Sequence, residues 1–298
     1  MTGSPPELTV LLPCFNEENA VGVVIDELRA VLDRSGHSYE VLVVDDASTD
    51  RTAEIAAKHG ATILRRELNG GSGAARKTGI RAARSERIVM LDADGTYPPT
   101  AIPQMVEMLA RFDQVNGART SEQGTLKWLR APTKWLIGRL ASYLTARPIP
   151  DLNTGLKVFR RSVMLPYLHL MPDGFSCVST MTLAFLVNDH PTTWLPIDYR
   201  PRIGHSKFRP IRDTSAYLQT VLRMVLYFKP LKIFLPAGTF LCALGMLLSV
   251  YHRAVLGHML ASDIVVLSAA LATLGVGLLA DLIVVHSRRP LLSDDRPD

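Results

Sequence analysis

Cysteine is scarce in this chain of 298 residues, and the three that occur are scattered along it. Cys14, Cys177 and Cys242 do not have the spacing of a metal site, and an odd number does not fit a disulfide framework. This usage is expected in a reducing compartment and argues against a disulfide-stabilised secreted domain. Met1–Pro6 is short and polar, so we expect no secretory signal peptide.

The chain also lacks the long basic run that is typical of nucleic-acid-binding proteins, although its net charge is +5. Its positive charges are concentrated in residues 119–147 and 200–232 instead. Two clusters of this kind suit a membrane surface or an anionic substrate better than DNA. We therefore expect no nucleic-acid partner.

Two long apolar runs lie near the C-terminal end. Residues 233–251 contain no charged residue, and Asp281 is the one charged residue in 264–285. Each run is close to the ~20 apolar residues that cross a bilayer core. Their Gly and Ala content favours a transmembrane hairpin over a pair of buried core helices, and the small residues of 269–277 leave a homo-oligomer open. Lys and Arg flank the outer ends of the hairpin, which predicts cytoplasmic termini.

The N-terminal part alternates short apolar runs with helical periodicity. The predicted strands are residues 7–13, 39–46, 61–66 and 86–94, with two more near 156–159 and 193–199. Asn16 is expected to cap the first helix. The strand–helix alternation predicts an α/β fold with a mostly parallel sheet covered by helices on both faces. Ligands of such sheets bind beyond the carboxyl ends of the strands.

Acidic residues lie at two of these carboxyl ends. Asp45 and Asp46 could accept hydrogen bonds from a base or ribose, or one of them could cap the next helix. Asp92 and Asp94 are two residues apart at the end of a predicted strand, so their side chains would point to the same side. Two carboxylates so placed could bind Mg²⁺ or Mn²⁺ together with substrate phosphates, whereas a solvated acidic turn is the alternative. The apolar strand before them favours the cation site.

Seven segments occur in an order that resembles family 2 glycosyltransferases of the GT-A fold. They are LLPCFNEE, EVLVVDDASTD, NGGSGAARKTGI, LDADGTYPP, VNGAR, DLNTGLKVFRR and RPRIGHSKF. Within that family the chain is similar to polyprenyl-phosphate sugar transferases of the dolichol-phosphate mannose synthase type. The resemblance covers residues 8–230, and the hairpin extends it.

The resemblance and the apolar pattern together predict three regions. A Rossmann-like GT-A domain is expected in residues 1–212, and interfacial amphipathic helices are expected in residues 213–232. A transmembrane hairpin with a short cytoplasmic tail is expected in residues 233–298, with spans at about 233–251 and 264–285. The catalytic domain would lie on the cytoplasmic side.

The resemblance also implies roles for individual residues. Nucleotide and donor contacts are expected from Pro13, Phe15, Glu17, Val44, Asp46, Ala93, Arg202 and Lys207. Asp92 and Asp94 would bind the metal, and the catalytic set would be Asp92, Asp94, Arg119 and Lys207. The acceptor phosphate would be received by Arg130, Lys134 and Arg139. Mannose synthase-type relatives often carry Leu-Gln where Gly95 and Thr96 stand here, and the shorter, neutral hydroxyl of Thr96 could hold a metal-bound water rather than the metal.

The implied reaction is an inverting, metal-dependent transfer of a hexose, mannose or glucose, from a GDP- or UDP-linked sugar to a polyprenyl phosphate at the membrane. The acceptor phosphate is anionic and needs no strong general base. An alternative is a hydroxyl acceptor on a growing glycan, for which Asp151 would be the base. A non-catalytic membrane scaffold is a second alternative, against which the intact Asp-x-Asp and basic loop argue.

Overall fold

The computed structural model describes residues 5–120, 139, 142, 148–174, 176–203, 226–227 and 229–288. It divides the chain into two compact units, Met1–Thr220 and Val221–Asp298. The first unit contains a seven-stranded sheet with helices, and the second contains two long helices. Lys207 and most of the predicted interfacial helices lie outside the described residues.

The elements of the first unit alternate along the chain. The strands are β1 Leu8–Cys14, β2 Tyr39–Asp45, β3 Thr62–Arg65, β4 Arg87–Met90, β5 Gln114–Arg119, β6 Lys157–Arg160 and β7 Thr192–Ile197. The helices are α1 Val21–Leu32, α2 Thr52–Lys58, α3 Ser72–Ala82, α4 Ile102–Met108, α5 Arg161–Met164 and α6 Cys177–Val187. Short 3₁₀ helices occupy Pro99–Ala101 and Leu165–Leu170.

The sheet has the strand order β3-β2-β1-β4-β6-β5-β7. Strand β6 is antiparallel to both of its neighbours, β4 and β5, whereas the other pairs are parallel. The predicted mostly parallel sheet is therefore confirmed. The carboxyl ends of the six co-directional strands meet at the same edge as the amino end of β6. We call this edge the carboxyl edge.

Two hydrophobic cores lie on opposite faces of the sheet. Val10 and Leu12 of β1 belong to the core that includes α1 and α4, whereas Leu11 belongs to the core that includes Ile80 of α3 and Met181 of α6. Successive side chains of a strand point to opposite faces, so β1 contributes to both cores. Helices cover both faces of the sheet, as predicted.

Two boundary predictions are wrong. Strand β4 ends at Met90, so Asp92 and Asp94 lie in the turn beyond the strand and not within it. Helix α1 begins at Val21 with Ala20 in the N-cap position, so Asn16 does not cap it. Asn16 has a φ of 51°, and its side-chain oxygen accepts a hydrogen bond from the Thr49 N–H at 2.8 Å. It joins two loops at the carboxyl edge instead.

The second unit is a helical hairpin. It consists of α7 Leu231–Leu256 and α8 Ala261–Arg288, both long and apolar enough to cross a membrane. Gly245 packs so closely against Leu267 that a Cβ would lie 2.8 Å from the Leu267 side chain. At the connecting turn, the His252 ring nitrogen Nδ1 lies 2.8 Å from Asp263 Oδ1, and Asp263 is fully buried. Both predicted spans fall within these helices.

Helix α3 begins against a backbone segment that precedes α6. The N–H of Gly73 donates a hydrogen bond to the carbonyl oxygen of Asp173 at 2.8 Å. A Cβ on Gly73 would lie 2.0 Å from the carbonyl oxygen of Pro172. The N-terminal end of α3 is therefore bound by the chain's own backbone, and glycine is required there because two backbones meet.

A buried lysine joins β6 to two other elements. The Lys157 amine donates hydrogen bonds to Asn116 Oδ1 of β5 at 2.7 Å and to Thr182 Oγ1 of α6 at 2.6 Å. The residue is fully buried. Burial lowers the pKa of Lys157 to about 7, although the charge of Asp151 opposes this shift. The Lys157 amine therefore loses its proton near physiological pH.

We predict that Gly73→Ala destabilises the protein, because its methyl group would force the α3 backbone away from Pro172. Overpacking of this kind costs about 1–3 kcal/mol, which should lower Tm by roughly 3–10 °C. The measurement is thermal unfolding followed by circular dichroism in detergent. Gly174→Ala is the control, since a Cβ there has no neighbour within 4 Å. Equal melting temperatures for the two variants would contradict the predicted clash.

We predict that Lys157 makes stability increase with pH. The pKa of an unfolded lysine is about 10.4, so between pH 7 and 10 the unfolded chain binds more protons than the folded chain. The free energy of unfolding should therefore rise by about 1 kcal/mol per pH unit in this range. Urea unfolding at pH 7, 8 and 9 should show this slope in the wild type and in Lys58→Met, whose exposed amine is paired with Glu54. Lys157→Met should have a flatter slope, and an unchanged slope would rule out this lysine as the cause.

Candidate active site

The carboxyl edge brings together the segments that the sequence singles out. Beyond β1, β2 and β4 lie Phe15–Glu17, Asp46 and Asp92–Asp94, respectively. Arg119 ends β5, residues 151–155 precede β6, and residues 199–203 follow β7. This convergence follows from the strand directions, because β6 is the antiparallel member and therefore contributes its amino end.

Asp94 is a buried carboxylate whose two oxygens have different partners. Its Oδ1 accepts hydrogen bonds from the Thr96 N–H at 3.1 Å and from the Thr96 hydroxyl at 2.6 Å. Its Oδ2 forms an ion pair with the guanidinium of Arg202. The Asp94 side chain is 3% exposed, and Thr96 is 1% exposed. Thr96 therefore fixes the rotation of the carboxylate and leaves Oδ2 for a cation.

Asp92 has a different arginine partner, which comes from α3. The guanidinium of Arg76 forms an ion pair with Asp92 Oδ1 and also donates to the Ser72 carbonyl at 3.1 Å. The Arg76 side chain is 5% exposed. Burial raises the pKa of the Asp92 carboxyl, and the nearby charge of Asp94 raises it further, whereas Arg76 opposes both effects. The site thus concentrates negative charge that needs a positive partner.

A third ion pair joins β5 to the segment before β6. The Arg119 guanidinium donates a hydrogen bond to each carboxylate oxygen of Asp151, from Nε to Oδ2 at 2.6 Å and from Nη2 to Oδ1 at 3.0 Å. Both side chains are largely buried. Burial by itself would raise the pKa of Asp151, but the hydrogen bonds and charge of Arg119 outweigh it and lower the pKa. The Asp151 carboxylate is consequently a weak base.

Two tyrosines connect these acidic segments. The Tyr97 hydroxyl oxygen accepts a hydrogen bond from the Gly155 N–H at 2.6 Å. The Tyr97 ring meets the Tyr199 ring edge to face, with centroids 5.3 Å apart, and the Arg119 guanidinium lies 5.3 Å from the centre of the Tyr199 ring. Burial raises the pKa of Tyr97 above its usual value, so the phenol stays neutral.

The acidic end of β2 binds the chain itself. Asp46 accepts hydrogen bonds from the N–H groups of Gly70 and Gly71 at 3.1 and 2.7 Å, and it forms an ion pair with Arg66. The Asp45 Oδ1 accepts from the Ser48 N–H at 3.0 Å. Neither residue caps α2, so that alternative is wrong. Asp46 instead holds the glycine-rich loop in place.

Asp50 is the carboxylate that binds the start of α2. Its Oδ1 accepts a hydrogen bond from the Thr52 N–H at 3.0 Å. The acidic pair at the end of β2 is therefore free of any role in starting that helix. Its contribution to the carboxyl edge comes through the loops that it orders.

The other predicted donor contacts lie at the same edge but differ in exposure. Pro13 and Val44 face each other in the β1–β2 register. The side chains of Val44 and Ala93 are buried in the two cores, so only their backbones can reach a ligand. Phe15 and Glu17 are partly exposed. Arg139 is exposed, and Arg130, Lys134 and Lys207 lie outside the described residues.

Sequence reasoning missed three contributors to the site, Arg76, Tyr97 and Tyr199. Arg76 follows Ala74 and Ala75 on the buried face of α3, and a charged residue on such a face is a sign of a buried ion pair. The tyrosines carry no comparable pattern, because their role depends on the contact between residues about 100 positions apart.

The carboxylate oxygens at the Asp92–Asp94 turn are suitable ligands for a hard divalent cation. Within the described residues, no group of three or more His, Cys, Asp and Glu side chains is placed to hold a metal by itself. Two carboxylates that supply some of the oxygen ligands, with substrate phosphates and water supplying the rest, are typical of Mg²⁺ sites. Each of the two carboxylates already binds a guanidinium, which demonstrates that the turn attracts positive charge.

Comparison with known proteins gives matches along most of the chain. Residues 9–166 match the family described as Glycosyl transferase family 2, and residues 229–285 match the GtrB C-terminal hairpin. The chain is 29% identical over 222 residues to the dolichyl-phosphate hexose transferase of Haloferax volcanii, covering 74% of this chain and 94% of that protein. It is 28% identical over 297 residues to the dodecaprenyl-phosphate galacturonate synthase of Rhizobium johnstonii, covering 93% and 87%.

A solved structure has the same fold. Glucosyl-3-phosphoglycerate synthase of Mycobacterium tuberculosis, in complex with Mn²⁺, UDP-glucose and phosphoglyceric acid, superposes with a TM-score of 0.59 at 21% identity. The superposition covers 74% of this chain and 79% of that chain. The first unit thus has a GT-A-like fold, and the chain is a glycosyltransferase that belongs to family 2 and ends in a hairpin of the GtrB type.

Proposed function

We propose that the protein transfers a hexose, mannose or glucose, from a nucleoside-diphosphate sugar to a polyprenyl phosphate. The observation that carries this proposal is the set of guanidinium groups around the Asp92–Asp94 turn. Arg76, Arg202 and Arg119 all act electrostatically on Asp92. Cationic groups gathered at one edge of the sheet suit a reaction in which both donor and acceptor carry phosphate.

The two relatives support the acceptor class more strongly than the sugar. Their names specify dolichyl phosphate in one case and dodecaprenyl phosphate in the other, and both lipids are polyprenyl phosphates. The sugars differ, since one name specifies a hexose and the other galacturonate. A polyprenyl phosphate is therefore the acceptor that we assign, of the dolichyl or undecaprenyl type.

On the donor side, Asp92 and Asp94 would hold Mg²⁺ or Mn²⁺. The bound metal would offset the negative charge that develops on the departing diphosphate. Arg202 and Lys207 would bind the oxygens of the same diphosphate through charge-assisted hydrogen bonds. The Mn²⁺ and UDP-glucose bound by the Mycobacterium tuberculosis enzyme support a metal and a nucleotide sugar here.

The nucleotide would lie along the ends of β1 and β2. The residues assigned to it are Pro13, Phe15, Glu17, Val44, Asp46 and Ala93. Val44 and Ala93 would contribute backbone groups, because their side chains are buried. Asp46 would act through the glycine-rich loop that it holds. GDP and UDP both suit such a set.

On the acceptor side, the nucleophile would be an oxygen of the lipid phosphate. Arg119 would contact this phosphate or that of the donor, and Arg130, Lys134 and Arg139 would receive the acceptor's headgroup. A phosphate oxygen is already ionised near neutral pH, so direct attack would invert the sugar carbon without a general base. The lowered pKa of Asp151 and its two contacts with Arg119 support a phosphate acceptor over a hydroxyl acceptor.

The hairpin would anchor the enzyme in the membrane that contains its acceptor. We place the GT-A domain in residues 1–212, interfacial helices in residues 213–232 and the hairpin with its tail in residues 233–298. The distribution of Lys and Arg supports cytoplasmic termini and a cytoplasmic catalytic domain. The lengths of α7 and α8 support two spans.

We predict that label moves from a nucleotide sugar into lipid only when Mg²⁺ or Mn²⁺ is present. Membranes containing the full chain would be incubated with dolichyl or undecaprenyl phosphate and labelled GDP-mannose, UDP-glucose and other nucleotide sugars. Asp94→Asn should lower transfer by roughly 10²–10³-fold, because it removes the charge that holds the cation. Asp26→Asn is the control, since Asp26 is exposed and pairs with His59.

The assay separates the parts of the proposal. Transfer that persists in EDTA and in Asp94→Asn would exclude the metal site. Absence of labelled lipid with every donor, while the same membranes label a glycan, would favour the hydroxyl acceptor. Absence of both products would contradict the enzymatic assignment of substrates altogether.

We predict that Asp151→Asn slows transfer by roughly ten- to a hundredfold through a less well-positioned Arg119. The rate should still rise between pH 5 and 7, because that rise reports the second ionisation of the acceptor phosphate, with a pKa near 6. The measurement is the pH profile of kcat/KM for the wild type and the variant. Asp113→Asn is the control, since Asp113 pairs with Arg160 at the opposite edge of the sheet. A pH-independent rate in Asp151→Asn would identify Asp151 as a base and contradict the phosphate mechanism.

A further inference from the structure

The segment that carries Arg202 is bound to the Asp92–Asp94 turn through its backbone. The N–H of Arg200 donates to the Thr96 carbonyl at 2.9 Å, and the N–H of Ile203 donates to the Asp94 carbonyl at 3.0 Å. Arg202 lies between these two hydrogen bonds in the chain. Its position next to Asp94 is therefore set by the fold and is not a chance meeting of two surface side chains.

Gly95 allows this close approach. Its φ is 77°, a conformation that glycine adopts without strain. A Cβ at this position would lie 2.9 Å from Ile203 Cδ1. The departure from Leu-Gln to Gly95 and Thr96 thus has a structural consequence, because the first residue admits the 200–203 segment and the second orients Asp94.

Arg202 and a metal ion would use the same oxygen. Thr96 donates twice to Asp94 Oδ1, so Oδ2 is the oxygen that faces a cation, and the Arg202 guanidinium is its partner. A divalent cation bound to Oδ2 would lie close to that guanidinium, and two positive charges at such a distance repel each other. The Arg202 side chain is 33% exposed, so it has room to turn away from Asp94.

We propose that Arg202 is an internal cation that competes with the metal for Asp94 Oδ2, so that metal and nucleoside diphosphate bind cooperatively. A diphosphate offers Arg202 anionic oxygens that a guanidinium binds in a bidentate manner. When Arg202 turns to them, Oδ2 becomes available to the metal. Coupling of this kind is reciprocal, so the metal raises the affinity for the diphosphate by the same factor. The inference rests on the metal site of the proposed function.

The experiment measures the affinity of the full chain in detergent for Mn²⁺, by the electron paramagnetic resonance signal of free Mn²⁺, with and without GDP or UDP. In the wild type, the better of the two nucleotides should raise Mn²⁺ affinity about tenfold or more. Arg202→Gln should bind Mn²⁺ about tenfold more tightly than the wild type when no nucleotide is added. The nucleotide should then have a smaller effect than in the wild type, and the effect that remains is the coordination of Mn²⁺ by the phosphates themselves.

Two further variants test the cause. Arg200→Gln should behave as the wild type, because Arg200 lies in the same segment but pairs with Glu27 at 2.8 Å. Arg202→Lys keeps the positive charge and should retain the weak binding of Mn²⁺ in the absence of nucleotide. This variant also keeps the inference testable if Arg202→Gln fails to fold. If the nucleotide no longer raised the Mn²⁺ affinity of Arg202→Lys, the competition would be contradicted.

The outcomes distinguish the inference from the proposed function. Equal or weaker Mn²⁺ binding by Arg202→Gln would overturn the competition, whether or not the enzyme transfers sugar. Absence of Mn²⁺ binding in the wild type, even with GDP and UDP, would overturn both the competition and the metal site. Tight binding by Arg202→Gln in an enzyme with a different sugar acceptor would leave the competition established.

Discussion

Carboxylates that are buried or, like Asp92, partly buried at the carboxyl edge require positive partners, and the arrangement of the candidate site depends on that requirement. An isolated buried charge costs several kcal/mol, which a well-placed partner offsets. Four aspartates here have arginine partners from four different parts of the chain: Asp46 with Arg66, Asp92 with Arg76, Asp94 with Arg202 and Asp151 with Arg119. Each pair holds a loop or helix at the carboxyl edge. The ion pairs that compensate the carboxylate charges therefore also set the positions of these loops.

The sequence was sufficient for six of the seven strands because those six have strong local patterns. The apolar runs of β1 and β2 and the alternation with helices predict the parallel half and its carboxyl edge. Strand β5 was missed because Gln114, Asn116 and Gly117 interrupt its apolar pattern. Helix α6 was missed because it is buried on all sides and therefore has no polar face, so its residues show no helical periodicity.

The candidate site was predictable only in part, for a different reason. Asp92 and Asp94 are recognisable as a pair, but the prediction placed them on a strand, whereas they lie in a turn that glycine allows. Their partners Arg76 and Arg202 are 16 and 108 residues away from them, respectively. Such partnerships follow from strand order and direction, which local sequence patterns do not specify. The spacing of motifs thus identifies the acids, and the topology identifies what binds them.

The same distinction explains why the acceptor class is better supported than the sugar. A phosphate is recognised by charge, and the arginines to which we assign this role are held by ion pairs at the carboxyl edge, including the bidentate Arg119–Asp151 contact. A sugar is recognised by neutral hydroxyl groups, whose hydrogen bonds need donors and acceptors placed within a few tenths of an ångström. Small changes in the surrounding loops alter such contacts without altering the charge pairs. Two relatives at 28–29% identity can therefore be named for the same class of acceptor and for different sugars. Both names specify a polyprenyl phosphate, whereas one specifies a hexose and the other galacturonate.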